Sequence, residues 1–147
     1  MSAAYAVIAS VHAGIGVLAL AGFWTAAVVR KGSPLHRRVG QAYLVAMVGI
    51  IATAVPMAAF KYAQGRYVTA TFLLYLAVIT ATSMWSAWRA IRDKRDIERY
   101  TGTIYAGLAW LCLASGVAVL VLGVMQRSFL LGGFSGIGIA VGVGMLR

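Results

Sequence analysis

The sequence predicts an all-α, polytopic integral membrane bundle of about five transmembrane helices. Of its 147 residues, 62% are hydrophobic and 11% are charged, whereas a soluble domain has about 45–50% apolar and about 25% charged residues. Apolar runs of about 20 residues, the length that crosses about 30 Å of hydrocarbon, recur along the chain. The charged residues cluster between these runs. Together these observations predict one transmembrane domain over residues 1–147 and no soluble domain.

The first two spans are joined by a basic turn from Arg30 to Arg38. Span one is predicted over about residues 4–29 as a retained helix, because its apolar stretch is too long for a signal peptide. Ser33 and Pro34 are typical of a helix N-cap and first helical position, so span two begins near Pro34 and runs to about residue 60. Span one carries small residues that would let another helix approach closely. They are Ser10, Gly14, Ala21 and Gly22.

Span three is predicted over about residues 68–88, and a charged connector follows it. The connector holds every acidic residue of the chain, namely Asp93, Asp96 and Glu98. Pairing of Arg92 with Asp96 and of Lys94 with Glu98 at i,i+4 would contribute tenths of a kcal/mol each. We interpret this segment as a solvated connector.

Spans four and five are predicted over about residues 103–125 and 129–147. The last span is rich in glycine and contains two small-xxx-small spacings that favour close helix contact. They are Gly132-x3-Gly136 and Gly138-x3-Gly142. Packing within the chain explains them better than a dedicated dimer face, although a homo-oligomer or contact with other membrane subunits stays open.

The basic residues predict the orientation of the bundle. Ten of the 13 lysines and arginines lie in turns on one side, and three lie on the other, namely Lys61, Arg66 and Arg127. By the positive-inside rule the N-terminus is outside and the C-terminus is cytoplasmic. The basic side would meet anionic phospholipid headgroups of the bilayer. Nucleic acid is not an expected partner, because the basic turns are short and lack nucleic-acid-binding motifs.

Few side chains in the spans suit catalysis. All acidic residues lie in the one connector, which weakens a carboxylate-based proton or cation transporter and removes paired-carboxylate catalysis within the membrane. Metal-binding helix motifs, P-loops and nucleophile elbows do not occur in the sequence. The single cysteine, Cys112, lies in an apolar run and is interpreted as a packing residue. No catalytic residue is predicted.

The two histidines, His12 and His36, are the candidate ligands for a metal or for haem b. His12 lies 18 residues before Arg30, which is about 27 Å along a helix, while His36 lies at the inner surface. They cannot ligate one iron within one chain, so a haem would need a partner chain or a methionine ligand. The alternative for His12 is a hydrogen bond to a neighbouring helix, with serine and threonine of span three as expected partners. The alternative for His36 is an interfacial position near lipid phosphates.

One spacing suggests a small anion or headgroup site. His36, Gly40, Tyr43 and Met47 fall at i, i+4, i+7 and i+11 on one face of span two. Gly40 would allow a neighbouring backbone to approach, and Arg37 and Arg38 lie alongside. The same face could equally be the packing seam for span one or span three, and we favour the seam.

The residues of this region resemble a known family. The chain resembles the bacterial membrane-protein family called domain of unknown function 2306 (DUF2306). The resemblance rests on three segments, of which the basic turn is the most distinctive: His12-x-Gly14, Lys31-Gly32-x3-His36-Arg37-x2-Gly40-x2-Tyr43, and Ser86 to Arg92. It implies the topology and a bacterial inner (cytoplasmic) membrane, but no activity. Members of that family continue into a further basic segment with a histidine and more spans, so the resemblance implies a shortened member or a fragment.

Three functions remain as hypotheses. The first is a non-catalytic structural or interaction subunit, or a binder of a small molecule or lipid. The second is a membrane redox component that binds haem b or quinone through His12 or His36. The third is a small transporter, for which the sequence offers few polar residues: Gln41, Tyr43, Thr80, Thr82 and Ser83.

Overall fold

The protein is a bundle of long apolar helices. The structure, a computed structural model, describes residues 3–93 and 100–147. The described part is helical without strands, and its five long helices are α1 (Ala3–Val28), α2 (Pro34–Ala63), α3 (Tyr67–Arg92), α4 (Thr103–Met125) and α5 (Phe129–Leu146). Each is long and apolar enough to cross a membrane. The predicted fold class, an all-α polytopic membrane bundle, is confirmed.

The start of α2 is set by its local sequence. The Ser33 hydroxyl accepts a hydrogen bond from the backbone N–H of His36 (3.1 Å), and Pro34 occupies the first helical position. This arrangement satisfies one of the free N–H groups at the helix end, and the missing N–H of proline costs nothing there. The predicted N-cap is therefore confirmed. Gly32, whose φ is 82°, supplies the left-handed residue that the preceding turn needs.

The helices pack mainly in chain order. Each packs against the next, from α1 on α2 to α4 on α5, and α3 also contacts α5. Because α2 and α3 are joined by a short turn, the start of α2 and the end of α3 lie at the same end of the bundle. We call this the basic end, since it carries the Arg30–Arg38 turn. A core cluster of Tyr75, Val119 and Leu131 joins α3, α4 and α5.

The glycines of α5 fall into two groups. A Cβ on Gly138 would lie 2.6 Å from Tyr75 Oη, and one on Gly142 would lie 2.8 Å from the Ala109 carbonyl oxygen. These two glycines are needed for packing within the chain. By contrast, a Cβ on Gly132 or Gly136 would meet no atom within 4 Å. The two spacings seen in the sequence therefore have different environments.

The small residues of α1 correct another expectation. Gly22 does lie against α2, where its Cβ position is 3.7 Å from Tyr43 Cβ. Gly14, however, has nothing within 4 Å of its Cβ position, and Ser10 and Ala21 are exposed. The expected close approach of a helix at Gly14 is therefore wrong within this chain, because α1 packs mainly on α2 through a different face.

An ion pair closes the end of α3. Arg89 Nε lies 2.6 Å from Asp93 Oδ2, and the Asp93 side chain is almost fully buried. The guanidinium also lies 6.0 Å from the ring centroid of Trp85. The expected pairs of Arg92 with Asp96 and of Lys94 with Glu98 fall on residues outside the described part of the chain.

Candidate functional site

A cleft of about 390 Å³ lies between α2, α3 and α5. It is mostly apolar, with three hydroxyl-bearing side chains. Its lining residues are Tyr43, Leu44 and Met47 of α2, then Ile79, Thr80, Ser83, Met84 and Ala87 of α3, and Ile137 of α5. This volume is at the lower end of the range of small-molecule sites, and the mixture of apolar wall and few polar groups is typical of them.

Helical periodicity brings these residues to one place. Tyr43 and Met47 are four residues apart on α2, while Thr80, Ser83 and Ala87 fall at i, i+3 and i+7 on α3, so each set shares one face. Tyr43 lies nine residues after Pro34, which is about 14 Å along α2 from the basic end. The cleft therefore lies in the half of the bundle nearer the basic end.

The hydroxyl groups of the cleft have no hydrogen-bond partner among the described residues. Elsewhere in the spans, the Thr25 and Thr53 hydroxyls donate to the carbonyl oxygens four residues earlier, at 2.8 Å each. Tyr43, Thr80 and Ser83 make no such bond within the part of the chain that the structure describes. In an apolar medium an unpaired hydroxyl is costly. A ligand that accepts hydrogen bonds would remove this cost.

The lining also limits the charge of a ligand. None of the nine described lining residues is charged. A charged ligand group would lose its hydration without gaining a partner of opposite charge. The free-energy cost of this desolvation exceeds the stabilisation that hydrogen bonds from the cleft's hydroxyls would provide. The cleft is therefore suited to an uncharged amphiphile with hydrogen-bond acceptors.

His12 lies at the α1–α2 contact. Its Nδ1 is 2.7 Å from Thr53 Oγ1, and the Thr53 hydroxyl is itself 2.8 Å from the Gly49 carbonyl oxygen. Because the hydroxyl hydrogen is directed to that carbonyl, Oγ1 accepts from the Nδ1–H of His12. The expected hydrogen bond to a neighbouring helix is present, but its partner is on α2 and not on span three. Thr53 is a residue that the sequence reasoning missed.

His36 joins the other end of the same pair of helices. Its Nδ1 donates to the carbonyl oxygen of Ala26 (3.1 Å), one of the last carbonyls of α1 that lack a partner within their own helix. The contact therefore closes the end of α1 against the start of α2. Both histidines hold the α1–α2 pair together.

The positions of the histidines bear on the metal hypothesis. His12 is on α1, and His36 contacts Ala26, which lies fourteen residues further along α1. This separation corresponds to about 21 Å. They do not share a site within one chain. The described residues also contain no group of three or more His, Cys, Asp or Glu side chains that would hold a metal ion. Each imidazole nevertheless has Nδ1 fixed by the protein and Nε2 without a partner among the described residues.

The predicted face of α2 divides between two neighbours. His36 contacts α1, whereas Tyr43 and Met47 line the cleft beside α3. The ring centroid of Tyr43 also lies 6.3 Å from that of Phe23 on α1. The expectation that Gly40 admits a neighbouring backbone is wrong within the described chain, because no atom of another helix lies within 4 Å of its Cβ position. The remaining candidates, Arg37 and Arg38, are exposed at the basic end.

The five polar residues predicted for a transport path do not all lie together. Tyr43, Thr80 and Ser83 meet in the cleft. Thr82 does not, because it is fully buried against α4 with Cys112 Sγ 3.2 Å from its Oγ1. Gln41 is exposed on α2. Cys112 is itself fully buried, in agreement with its interpretation as a packing residue.

Tyr75 makes the most unusual contact next to the cleft, and the sequence reasoning did not single it out. Its hydroxyl donates to the Phe134 carbonyl oxygen (2.7 Å) and accepts from the Gly138 N–H (2.9 Å). In a regular α-helix the N–H of residue 138 pairs with the carbonyl of residue 134. The tyrosine hydroxyl of α3 thus bonds to both of these groups in one turn of α5.

Comparison of the chain with protein-family models, with curated proteins and with solved structures finds no match. The resemblance to DUF2306 therefore stays a prediction, and the function has to be argued from the cleft itself.

Proposed function

We propose that the protein is a non-catalytic membrane protein that binds an uncharged amphiphile in the cleft between α2, α3 and α5. The ligand carries carbonyl oxygens on an apolar body, as in a diacylglycerol or a quinone. Its carbonyl groups accept hydrogen bonds from Tyr43, Thr80 and Ser83, and its apolar part lies against Met47 and Met84. The observation that carries the proposal is that three residues with unpaired hydroxyls line one otherwise apolar cleft.

The proposal also covers the membrane in which the bundle lies and its orientation there. The protein lies in a bacterial inner membrane with the basic end on the cytoplasmic side, where exposed arginines such as Arg37 and Arg38 contact anionic headgroups. A cleft about 14 Å from that end is at the depth of the upper part of the acyl chains. A ligand can therefore enter it from the cytoplasmic leaflet.

Native mass spectrometry tests the proposal. Wild-type protein, extracted from its membrane in a mild detergent, is expected to retain a neutral ligand that the variant Thr80→Val/Ser83→Ala loses. Ser115→Ala is the matched control, because the Ser115 hydroxyl donates to the Cys112 carbonyl (3.2 Å) outside the cleft. Equal ligand retention in all three proteins would contradict the proposed site.

A redox function is the second candidate, and one observation favours it. Metal-ligating histidines commonly have one ring nitrogen fixed by the protein, as His12 and His36 do through Thr53 and Ala26. Because the two lie about 21 Å apart along α1, a bis-histidine haem requires a second copy of the chain. A visible spectrum before and after dithionite reduction tests this function. A Soret band that is lost in His12→Ala or His36→Ala would support it, and a colourless protein would refute the haem.

A further inference from the structure

Tyr75 connects the packed core to the cleft. Its side chain is 2% exposed, and its hydroxyl accepts from the Gly138 N–H and donates to the Phe134 carbonyl. Ile137, the wall that α5 contributes to the cleft, belongs to this same turn of the helix. A change in the hydrogen bonding of the turn therefore moves a residue that lines the cleft.

We infer that Tyr75 is a positioning residue for the cleft, because its hydroxyl joins both polar groups of one turn of α5 to α3 and so sets the place of Ile137. The inference rests on the proposed function for the ligand, but the positioning itself is independent of it. Tyr75 itself does not line the cleft, so it acts through α5.

The Tyr75 ring lies in close contact with the backbone of α5 at Gly138. A Cβ on Gly138 would lie 2.6 Å from Tyr75 Oη and 2.8 Å from Cε2, so only glycine admits the ring at this depth. Phe134, at the start of this turn, packs edge-on against Phe72 with ring centroids 5.6 Å apart. This contact still holds α5 at Phe134 when the hydroxyl is lost, so movement is expected at Ile137 and beyond.

Removal of the hydroxyl gives a clear expectation. In Tyr75→Phe the Gly138 N–H and the Phe134 carbonyl can pair with each other directly, so no buried polar group is left without a partner. The variant is therefore expected to fold. The turn loses its hydrogen bonds to α3, Ile137 moves, and the cleft no longer matches its ligand.

The first readout does not involve a ligand. Cysteine is placed at position 137 by Ile137→Cys, and its reaction rate with a membrane-permeant maleimide is measured with Tyr75 and with Tyr75→Phe. Cys112 does not interfere, since it is fully buried. A rate change of about threefold or more is expected at this position. Leu130→Cys, one turn before Phe134, is expected to keep its rate.

The second readout is photolabelling of the cleft by two probes, a diazirine-bearing diacylglycerol and an azido-substituted short-chain quinone. The first probe tests whether the ligand is a diacylglycerol, and the second tests whether it is a quinone. For the probe that labels wild type, Tyr75→Phe is expected to lower the yield about tenfold at subsaturating probe, which corresponds to about 1.4 kcal/mol. Tyr67→Phe, an exposed tyrosine on the same helix, is the matched control and should label as wild type does.

The outcomes separate the two proposals. If neither probe labels wild type, the proposed function fails and Tyr75 has no ligand to position. If wild type is labelled and Tyr75→Phe is labelled equally, the proposed function stands and the inference about Tyr75 is overturned. An unchanged maleimide rate at position 137 in Tyr75→Phe also overturns it. Gly138→Ala, which introduces a clash with the ring, should lower the labelling yield in the same way.

Discussion

The two glycine spacings of α5 allow a test of which glycines are needed for helix packing. Gly142 and Gly136 lie on the same helix and belong to the same type of spacing. A Cβ at Gly142 would lie 2.8 Å from both the Ala109 carbonyl oxygen and the Leu113 backbone nitrogen, whereas a Cβ at Gly136 would have no atom within 4 Å. Only Gly142→Ala should therefore disturb the contact between α4 and α5.

The magnitude follows from the distances. An ordinary contact begins near 3.4 Å, so the backbone of α4 would have to move by about 0.6 Å at Gly142. Overpacking of this kind costs about 1–3 kcal/mol. Replacing glycine by alanine also restricts the unfolded chain, which stabilises both variants by about 0.4–1 kcal/mol. This gain cancels between them, so Gly142→Ala should be less stable than Gly136→Ala by about 1–3 kcal/mol.

Reversible unfolding in mixed micelles, followed by circular dichroism, measures this difference. Gly136→Ala is expected to match or slightly exceed the wild-type free energy of unfolding, and Gly142→Ala is expected to fall below it. Equal stabilities for the two variants would refute the reasoning, because the α4–α5 contact would then not require glycine at position 142.

Three further predictions concern the ends and contacts of the helices, and the free energy of unfolding in micelles measures each. Ser33→Ala removes the N-cap of α2 and should cost about 1 kcal/mol; no loss would mean that the hydroxyl does not cap the helix in the membrane. A double-mutant cycle of His12→Ala with Thr53→Val should give a coupling of about 0.6 kcal/mol, and zero coupling would contradict the hydrogen bond. Arg89→Gln leaves the buried Asp93 carboxylate without its cation and should cost about 1–3 kcal/mol. Asp93→Asn should cost less, and the reverse order would contradict the ion pair.

Much of the fold could be predicted from the sequence, because span length and apolar composition are local properties. The start of α2 is an example, since Ser33 and Pro34 specify a helix N-terminus without help from the rest of the chain. The charge distribution likewise locates the turns. The orientation of the bundle in the membrane stays a prediction from the positive-inside rule.

The cleft could be predicted only in part. The helical face of span two predicts Tyr43 as a site residue, and Thr80 and Ser83 are polar residues of span three. Their convergence depends on how α2, α3 and α5 pack, which local spacing does not determine. The Tyr75 contact was missed for the same reason, because its partners in α5 lie about 60 residues further along the chain.

Two predictions about small residues failed for a related physical reason. Gly14 and Gly40 have spacings that suit close helix contact, yet their Cβ positions face open space. In a membrane, small residues permit close packing without requiring it. Which face of a helix is covered depends on its neighbours, and α1 has little contact beyond α2.

Mapping the site of photolabelling tests the binding proposal most directly. Wild-type protein is labelled with the diazirine diacylglycerol or the azido quinone, digested, and sequenced by mass spectrometry. The proposal predicts that the label concentrates on the cleft segments of α2 and α3, between Tyr43 and Met47 and between Ile79 and Ala87. Label spread evenly over the exposed faces of α1 and α4 would contradict it, because the probe would then report only contact with the surrounding membrane.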